Sequence, residues 1–287
     1  MKSFVAVSLA VVLGLCSVAA ASPFAATVES YNTGTSGYNP YYTDPTVVLG
    51  APPTITTNFT SDWSGTYPGA VNMLNPVWAG PAGNPQELTI GTGGSLIVGF
   101  DHQVLNNSAN PYGIAFQIFT NASFNGLPPD YNTTIANGSM AFGQLGQIRV
   151  SQDKTTWYTV DPTKLGTTFP MQAYLSGDPT AQDDGAALSN FTLPVDPTTQ
   201  LSQFAGLTVE QALALYGGSA GGLGIDLNDL IDPVTGQSTN LPWIKYVEID
   251  GPTSALVGFA DTSVPEPATL GLAALGLAGL LSRRKKG

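Results

Sequence analysis

Short runs that are apolar or alternate apolar with polar residues, each flanked by turn-forming residues, constrain the fold of this 287-residue chain more than any other feature. Six runs of this kind are Ser95–Phe100, Ile114–Phe119, Gln147–Ser151, Thr156–Val160, Lys245–Asp250 and Ala255–Ala260. Several of them alternate apolar and polar side chains, which is typical of a strand with one buried face. Gly, Pro and Asn are frequent between the runs and favour turns. The sequence therefore predicts a mainly β fold, an antiparallel β-sandwich with one or two short helices.

The alternation also predicts which side chains are buried. Ile148 and Val150 should face the core, whereas Ser151 and Glu248 should face solvent. Residues 152–155 separate two predicted strands and should form a hairpin turn. Tight turns are also favoured by two Asn-Gly pairs, Asn125-Gly126 and Asn137-Gly138.

One segment has clear helix signals. Thr208 and Gln211 have the spacing of a capping box, and Gly217 is suited to end the helix. The sequence predicts a helix over Val209–Tyr216. A second short helix is predicted over Leu227–Ile231.

The charge distribution excludes one class of partner. Residues 22–264 contain four basic and 19 acidic residues, a formal net charge of −15. A protein that binds nucleic acid through its phosphates needs Lys and Arg, so we expect no nucleic-acid partner. Such a charge suits a soluble secreted surface or one that attracts divalent cations.

The first residues have the order of a secretory signal peptide. Lys2 precedes the apolar stretch Phe4–Cys16, and three alanines follow at positions 19–21. We expect cleavage between Ala21 and Ser22, so residues 1–21 form the signal peptide and its helix.

Cys16 is the only cysteine in the chain. In a lipoprotein signal a small residue precedes the lipidated cysteine, whereas Leu15 is large. Cleavage after Ala21 would remove Cys16, and the mature chain would then have no disulfide, thiol nucleophile or Cys-metal site.

The last residues have three parts in a fixed order. The sequence Val264, Pro265, Glu266, Pro267 is followed by the uncharged run Ala268–Leu281 and then by Arg283, Arg284, Lys285 and Lys286. As a helix the run would be about 21 Å long, which is short of the ~30 Å hydrocarbon core. Snorkelling basic side chains and local thinning can cover the difference. We expect a transmembrane helix over 268–281, with the basic cluster as a stop on the cytoplasmic side.

These three parts together resemble the PEP-CTERM sorting signal of Gram-negative bacteria, also known as the VPEP motif. The resemblance implies recognition by a membrane processing enzyme of the exosortase type, with cleavage near residues 265–267. It implies an inner-membrane intermediate, followed by release to the cell surface, outer membrane or extracellular matrix. The alternative is a permanent membrane anchor.

The body resembles a bacterial surface-protein family that often precedes such tails. The stretches that carry this resemblance are Gly93–Asp101, Asn110–Gly113, Phe116–Asn121, Ile148–Asp153, Trp157-Tyr158, Gly221-Gly222, Ile225–Leu227 and Tyr246-Val247. The resemblance implies a jelly-roll-like or discoidin-like extracellular domain with no catalytic activity. The chain departs from the family's pattern at Ala115, where an Asp is expected, and at Lys154, where a Gly is expected.

A candidate metal site lies near the predicted second helix. Asp226, Asn228, Asp229 and Asp232 place four oxygen-bearing side chains within seven residues. Ca²⁺ binds six to eight oxygens, so these residues are candidate calcium ligands. The spacing is not that of an EF-hand loop, and the alternative is that Asp226 or Asn228 caps a short helix while Asp229 is solvated.

Two further patterns suggest chemistry. Ser219 lies in a G-x-S-x-G sequence, but a helix rather than a strand precedes it, and the only histidine, His102, lies upstream. We therefore predict no catalytic residues and expect Ser219 in a flexible link and His102 as a hydrogen-bonded loop residue. Five aromatic residues are candidates for stacking on sugars or for core packing: Tyr38, Tyr41, Tyr42, Trp63 and Trp78.

The sequence predicts a signal peptide over 1–21, an extracellular β-sandwich over 22–260 and a sorting signal over 261–287. The predicted function is that of an exported surface or exopolysaccharide-matrix protein, as in a biofilm, with a structural or adhesive role. One alternative is a carbohydrate-binding module with structural calcium. The other is a secreted hydrolase, which would need a catalytic constellation that the sequence does not contain.

Overall fold

A computed structural model describes residues 21–56, 69–77, 85–129 and 131–264. The predicted signal helix before Ala21, the predicted transmembrane helix 268–281, and Trp63 and Trp78 lie outside these residues. Within them, no helix has the length and apolar character needed to cross a membrane.

The described residues form fifteen strands, one α-helix and three short 3-10 helices. The strands are β1 (Thr27–Asn32), β2 (Ile55–Thr56), β3 (Gly69–Ala70), β4 (Leu88–Ile90), β5 (Ser95–Leu105), β6 (Phe116–Thr120), β7 (Ser123–Gly126), β8 (Ile135–Ala141), β9 (Gln147–Ser151), β10 (Tyr158–Val160), β11 (Leu223–Ile225), β12 (Leu230–Ile231), β13 (Ser238–Thr239), β14 (Trp243–Asp250) and β15 (Thr253–Asp261). Helix α1 is Val209–Tyr216, and the 3-10 helices are Pro45–Val48, Pro111–Gly113 and Leu201–Phe204.

Two antiparallel sheets form the body. The larger sheet has seven strands in the order β1-β5-β14-β9-β10-β12-β13, and the smaller has four in the order β11-β6-β15-β4. Strands β2 and β3 form one separate two-stranded sheet, and β7 and β8 form another. The fold is therefore mainly antiparallel β, as predicted.

Side chains from both large sheets meet in one hydrophobic cluster. Val98 and Val247 come from the larger sheet, and Ile118 and Phe259 come from the smaller one. A core shared by two sheets is consistent with the predicted β-sandwich. The finer arrangement, jelly-roll-like or discoidin-like, stays a prediction.

The smaller sheet is buried on both faces. All five residues of β6 are buried, because Phe119 packs with Met171 and Phe191 in a second cluster on the other face. A third cluster joins α1 to β7 and β8, and it includes Phe124, Ile135, Phe204 and Tyr216. Strand β6 is therefore buried along its whole length, including its two polar residues, Gln117 and Thr120.

The predicted strands are confirmed, and so is the hairpin between β9 and β10, in which Tyr158 pairs with Val150. Two predictions of exposure are wrong. Ser151 is fully buried because its hydroxyl accepts hydrogen bonds from the amides of Asp153 and Lys154 in the hairpin turn. Glu248 is buried because it pairs across strands with Arg149, with a carboxylate–guanidinium distance of 3.0 Å.

Helix α1 is confirmed with its caps. The Thr208 hydroxyl accepts a hydrogen bond from the Gln211 amide, the Gln211 side chain accepts one from the Thr208 amide, and Gly217 takes a left-handed conformation. The predicted helix Leu227–Ile231 is wrong. The Asp226 carboxylate instead accepts from the Asn228 amide in a turn, and Leu230–Ile231 forms β12 between β10 and β13.

The two Asn-Gly pairs do not form hairpin turns. Asn125-Gly126 ends strand β7, and Asn137-Gly138 lies inside β8. The register between these strands shifts after Phe124, and Gly138 has a φ of 70° in β8. Gly138 thus has the positive φ that favours Asn-Gly in turns, but it lies in an irregular strand pair.

Candidate functional site

The described chain leads into residue 264 through a strand inside the smaller sheet. Strand β15 pairs with β6 on one side and with β4 on the other, and it ends at Asp261. The Thr262 amide donates a hydrogen bond of 3.1 Å to the Ala115 carbonyl, and its hydroxyl donates to the carbonyls of Ala115 and Ile114. The chain is therefore fixed to the domain at the residue after β15.

The side chain of Asp261 also fixes Ser263, the residue that follows Thr262. Its carboxylate accepts hydrogen bonds from the Ser263 amide at 2.7 Å and from the Ser263 hydroxyl at 2.8 Å. Val264 is the only residue of the predicted Val-Pro-Glu-Pro sequence that the structure describes; Pro265, Glu266, Pro267 and the basic residues 283–286 lie outside the described residues. The sorting signal therefore starts directly at the surface of a folded domain. We call Asp261–Ser263 the junction segment.

A histidine holds the junction segment from the larger sheet. His102 lies in β5, not in a loop as predicted, because β5 runs on to Leu105. Its Nε2 is 2.8 Å from an oxygen of the fully buried Asp261, and its Nδ1 is 2.6 Å from an oxygen of Asp101. Hydrogen bonding to Asp261 raises the pKa of His102, with a smaller contribution from Asp101, although burial opposes the shift. Only the imidazolium can donate to both carboxylates, so this geometry favours the charged form.

The start of the predicted mature chain lies beside the junction segment. The Asp261 amide donates a hydrogen bond of 2.7 Å to the Pro23 carbonyl, and Phe24 forms an antiparallel bridge with Ala260. The Ser22 hydroxyl accepts a hydrogen bond from the Phe24 amide. The predicted signal-cleavage position, between Ala21 and Ser22, is thus two residues from the contact with Asp261. The predicted signal-cleavage position and the junction segment therefore lie close together in the domain.

The candidate calcium ligands are distributed over two turns. One Asp226 carboxylate oxygen accepts hydrogen bonds from the Asn228 amide and side chain, and Asp232 caps the following turn through the amides of Val234 and Thr235. Among the described residues, no group of three or more His, Cys, Asp or Glu side chains is arranged to hold a metal ion. Calcium binding here stays a prediction.

These acidic residues border a cleft of about 220 Å³. Asp226 and Asp229 contribute to its lining together with Tyr112, Lys164 and apolar side chains from β10 and β11. Burial raises the pKa of Asp229, and the charge of Asp226 adds to this effect. The cleft combines a half-exposed aromatic ring with a partly desolvated carboxylate.

The remaining candidates take structural positions. Ser219 is buried, and its hydroxyl accepts a hydrogen bond from the Gly221 amide. Of the three tyrosines predicted to stack or pack, Tyr42 is buried, Tyr38 is partly buried and Tyr41 is 65% exposed. Lys154, where the surface-protein family has Gly, takes a φ of 64°, a conformation that glycine adopts readily.

The sequence reasoning missed the role of Asp261 and the position of Tyr112. Asp261 is 159 residues from His102, so no local pattern connects them. A weak signal was present, because the only histidine follows an aspartate inside an apolar strand pattern.

Comparison with known families bears on the residues that follow the junction segment. Residues 263–286 match the family model of the PEP-CTERM protein-sorting motif. Among the curated proteins none matches the chain. The chain therefore carries a PEP-CTERM protein-sorting motif over residues 263–286, which implies export and handling by a membrane enzyme of the exosortase type.

Proposed function

We propose that this is a surface or exopolysaccharide-matrix protein with a structural or adhesive role, anchored in the inner membrane only until its sorting motif is cleaved. The observation that carries the proposal is the sorting motif at 263–286, which begins where the junction segment ends. A body with a net charge of −15 supports a soluble exported destination.

The junction segment supports cleavage without loss of the fold. The hydrogen bonds of Asp261, Thr262 and Ser263 leave only Val264 between the junction segment and the Pro-Glu-Pro sequence. Cleavage near residues 265–267 would remove the apolar run and basic cluster and leave β15 with all its strand pairings. The released domain would therefore keep the stability of the precursor.

We propose that the body has no catalytic activity. Both ring nitrogens of the only histidine, His102, pair with carboxylates, those of Asp261 and Asp101. The Ser219 hydroxyl is buried and accepts a hydrogen bond from the Gly221 amide in its own turn. A serine hydrolase needs a serine that is accessible to substrate and hydrogen-bonded to a base. These positions support a binding or structural role over hydrolysis.

The proposal is tested by intact-mass measurement of the protein in the native host. We expect wild-type protein from the surface, matrix or medium to begin near Ser22 and to end between Pro265 and Pro267. Glu266→Ala should accumulate with the basic tail in the membrane fraction. Asp184→Ala, the matched control, removes an acid from an exposed loop and should be processed normally. Normal release of Glu266→Ala, or a wild-type mass that retains the basic tail, would contradict the sorting mechanism.

A further inference from the structure

The cleft that contains Asp229 has an apolar floor and a polar rim. Val160, Phe169, Val195 and Ile225 form the floor and are almost fully buried, whereas the rim has exposed polar groups. Its volume of about 220 Å³ is below the range of roughly 300–1,000 Å³ that holds drug-sized ligands. A site of this size and mixed polarity suits one small amphipathic unit.

Tyr112 lies at the rim in a hydrogen-bonded turn. The turn is closed by hydrogen bonds from the Gly113 amide to the Asn110 carbonyl and from the Ile114 amide to the Pro111 carbonyl. Tyr112 has a φ of 56°, a conformation that is unfavourable for a residue with a side chain. The residue is 54% exposed, so burial of its side chain does not offset this backbone strain.

Asp229 lines the same cleft. Both of its backbone polar groups are hydrogen-bonded. The Asp161 amide donates to its carbonyl, and its own amide donates to the Asp226 carbonyl. No described residue donates a hydrogen bond to the carboxylate itself, and the residue is partly buried. A carboxylate in this state can accept hydrogen bonds from a ligand.

We propose that this cleft binds one uncharged sugar ring of a glycan, with the ring on the Tyr112 face and apolar floor and its hydroxyls donating to Asp229. A sugar ring offers the required amphipathic unit, because its C–H face is apolar and its hydroxyls are donors. Acidic glycans are disfavoured because the two aspartates that border the cleft outnumber its one lysine, Lys164, in a body of charge −15. This inference rests on the proposed adhesive role and identifies the cleft as the binding site for that role.

The test is calorimetric titration of the processed protein with uncharged hexasaccharides: cellohexaose, laminarihexaose and mannohexaose. At least one should bind saturably, whereas hexagalacturonate, the acidic comparison, should not. Tyr112→Gly removes the ring but accepts a φ of 56°, so it should fold normally. This variant and Asp229→Asn should each weaken binding at least tenfold, whereas Tyr41→Ala, which removes an exposed tyrosine outside the cleft, should leave it unchanged.

Three results would overturn the proposal: no saturable binding of any uncharged hexasaccharide, equal binding of hexagalacturonate, or undiminished binding by both cleft variants. Thermal unfolding of each variant establishes that it is folded. Intact mass of exported Tyr112→Gly separates this inference from the proposed function. Normal processing with lost sugar binding supports both, whereas defective processing of the wild-type chain counts against the sorting mechanism alone.

Discussion

Replacing His102 with alanine should destabilise the domain by about 3–5 kcal/mol, the usual cost of leaving one partner of a buried ion pair uncompensated. Asp261 is fully buried, and the His102 side chain is only 16% exposed. Asp261 would keep two hydrogen bonds from Ser263, which favours the lower end of this range. Asp101→Asn is the matched control. The Asp101 side chain is 49% exposed, so solvent screens its pairing with His102 and we expect a loss below about 1 kcal/mol.

The same pair gives the stability a defined pH dependence. Pairing with Asp261 raises the pKa of His102 in the folded protein above its ordinary value of 6.5. The stabilisation is therefore fully present below pH 6.5 and is lost as the pH rises through the raised pKa, where the folded state releases its extra proton. His102→Ala should remove this contribution, so the stability difference from wild type should shrink with increasing pH.

Urea unfolding of the processed protein between pH 5 and 9, followed by tryptophan fluorescence, measures both effects. Two results would refute the reasoning. One is an equal loss in His102→Ala and Asp101→Asn. The other is a difference between His102→Ala and wild type that does not change with pH.

Three further predictions concern other parts of the fold. Burial raises the pKa of Glu87 to about 8 from an ordinary 4.5, so above pH 4.5 the unfolded chain releases a proton that the folded state keeps. Glu87 therefore lowers the free energy of unfolding as the pH rises from 4.5 to 8. Because glutamine cannot ionise, Glu87→Gln should raise the free energy of unfolding at pH 8 by about 1–3 kcal/mol. A destabilising effect in urea unfolding would contradict the assignment. Gly138→Ala should cost about 2–4 kcal/mol, because a Cβ there would lie 2.0 Å from the Leu201 carbonyl oxygen. Gly236→Ala has a similar φ of 66° but open space, so it should lose only about 1 kcal/mol in the same assay. A chelator should change the melting temperature by less than about 1 °C, because one carboxylate oxygen of Asp226 and one of Asp232 are already hydrogen-bonded within their turns. A decrease of several degrees that added Ca²⁺ reverses would contradict this expectation and show that calcium stabilises the domain.

Local patterns were sufficient wherever the determining contacts are close in sequence. Helix α1 was predicted with its caps because the capping box needs only Thr208, Gln211 and the residues between them. The strands were predicted because alternation and turn residues are properties of five or six consecutive positions. The sorting motif is likewise contiguous, so its three parts were readable from residues 263–286 alone.

Local patterns failed where a distant element changes the environment of a residue. Glu248 alternates as a solvent-facing residue, yet Arg149 on the neighbouring strand covers it. Leu230 and Ile231 follow Leu227 at a spacing that fits a helix, but pairing with β10 and β13 makes them a strand. Strand propensity depends on such neighbours, so short apolar segments are the least certain ones to assign.

The sequence by itself therefore determined the β class of the body, the helix and the sorting motif, because each depends on residues within one short segment. Only the tertiary structure decided that Pro23, His102 and Asp261 meet at the junction segment, and that Tyr112 and Asp229 share a cleft. These groups are separated by tens to more than a hundred residues. Their proximity follows from how the strands are ordered in the two sheets, which no local spacing encodes.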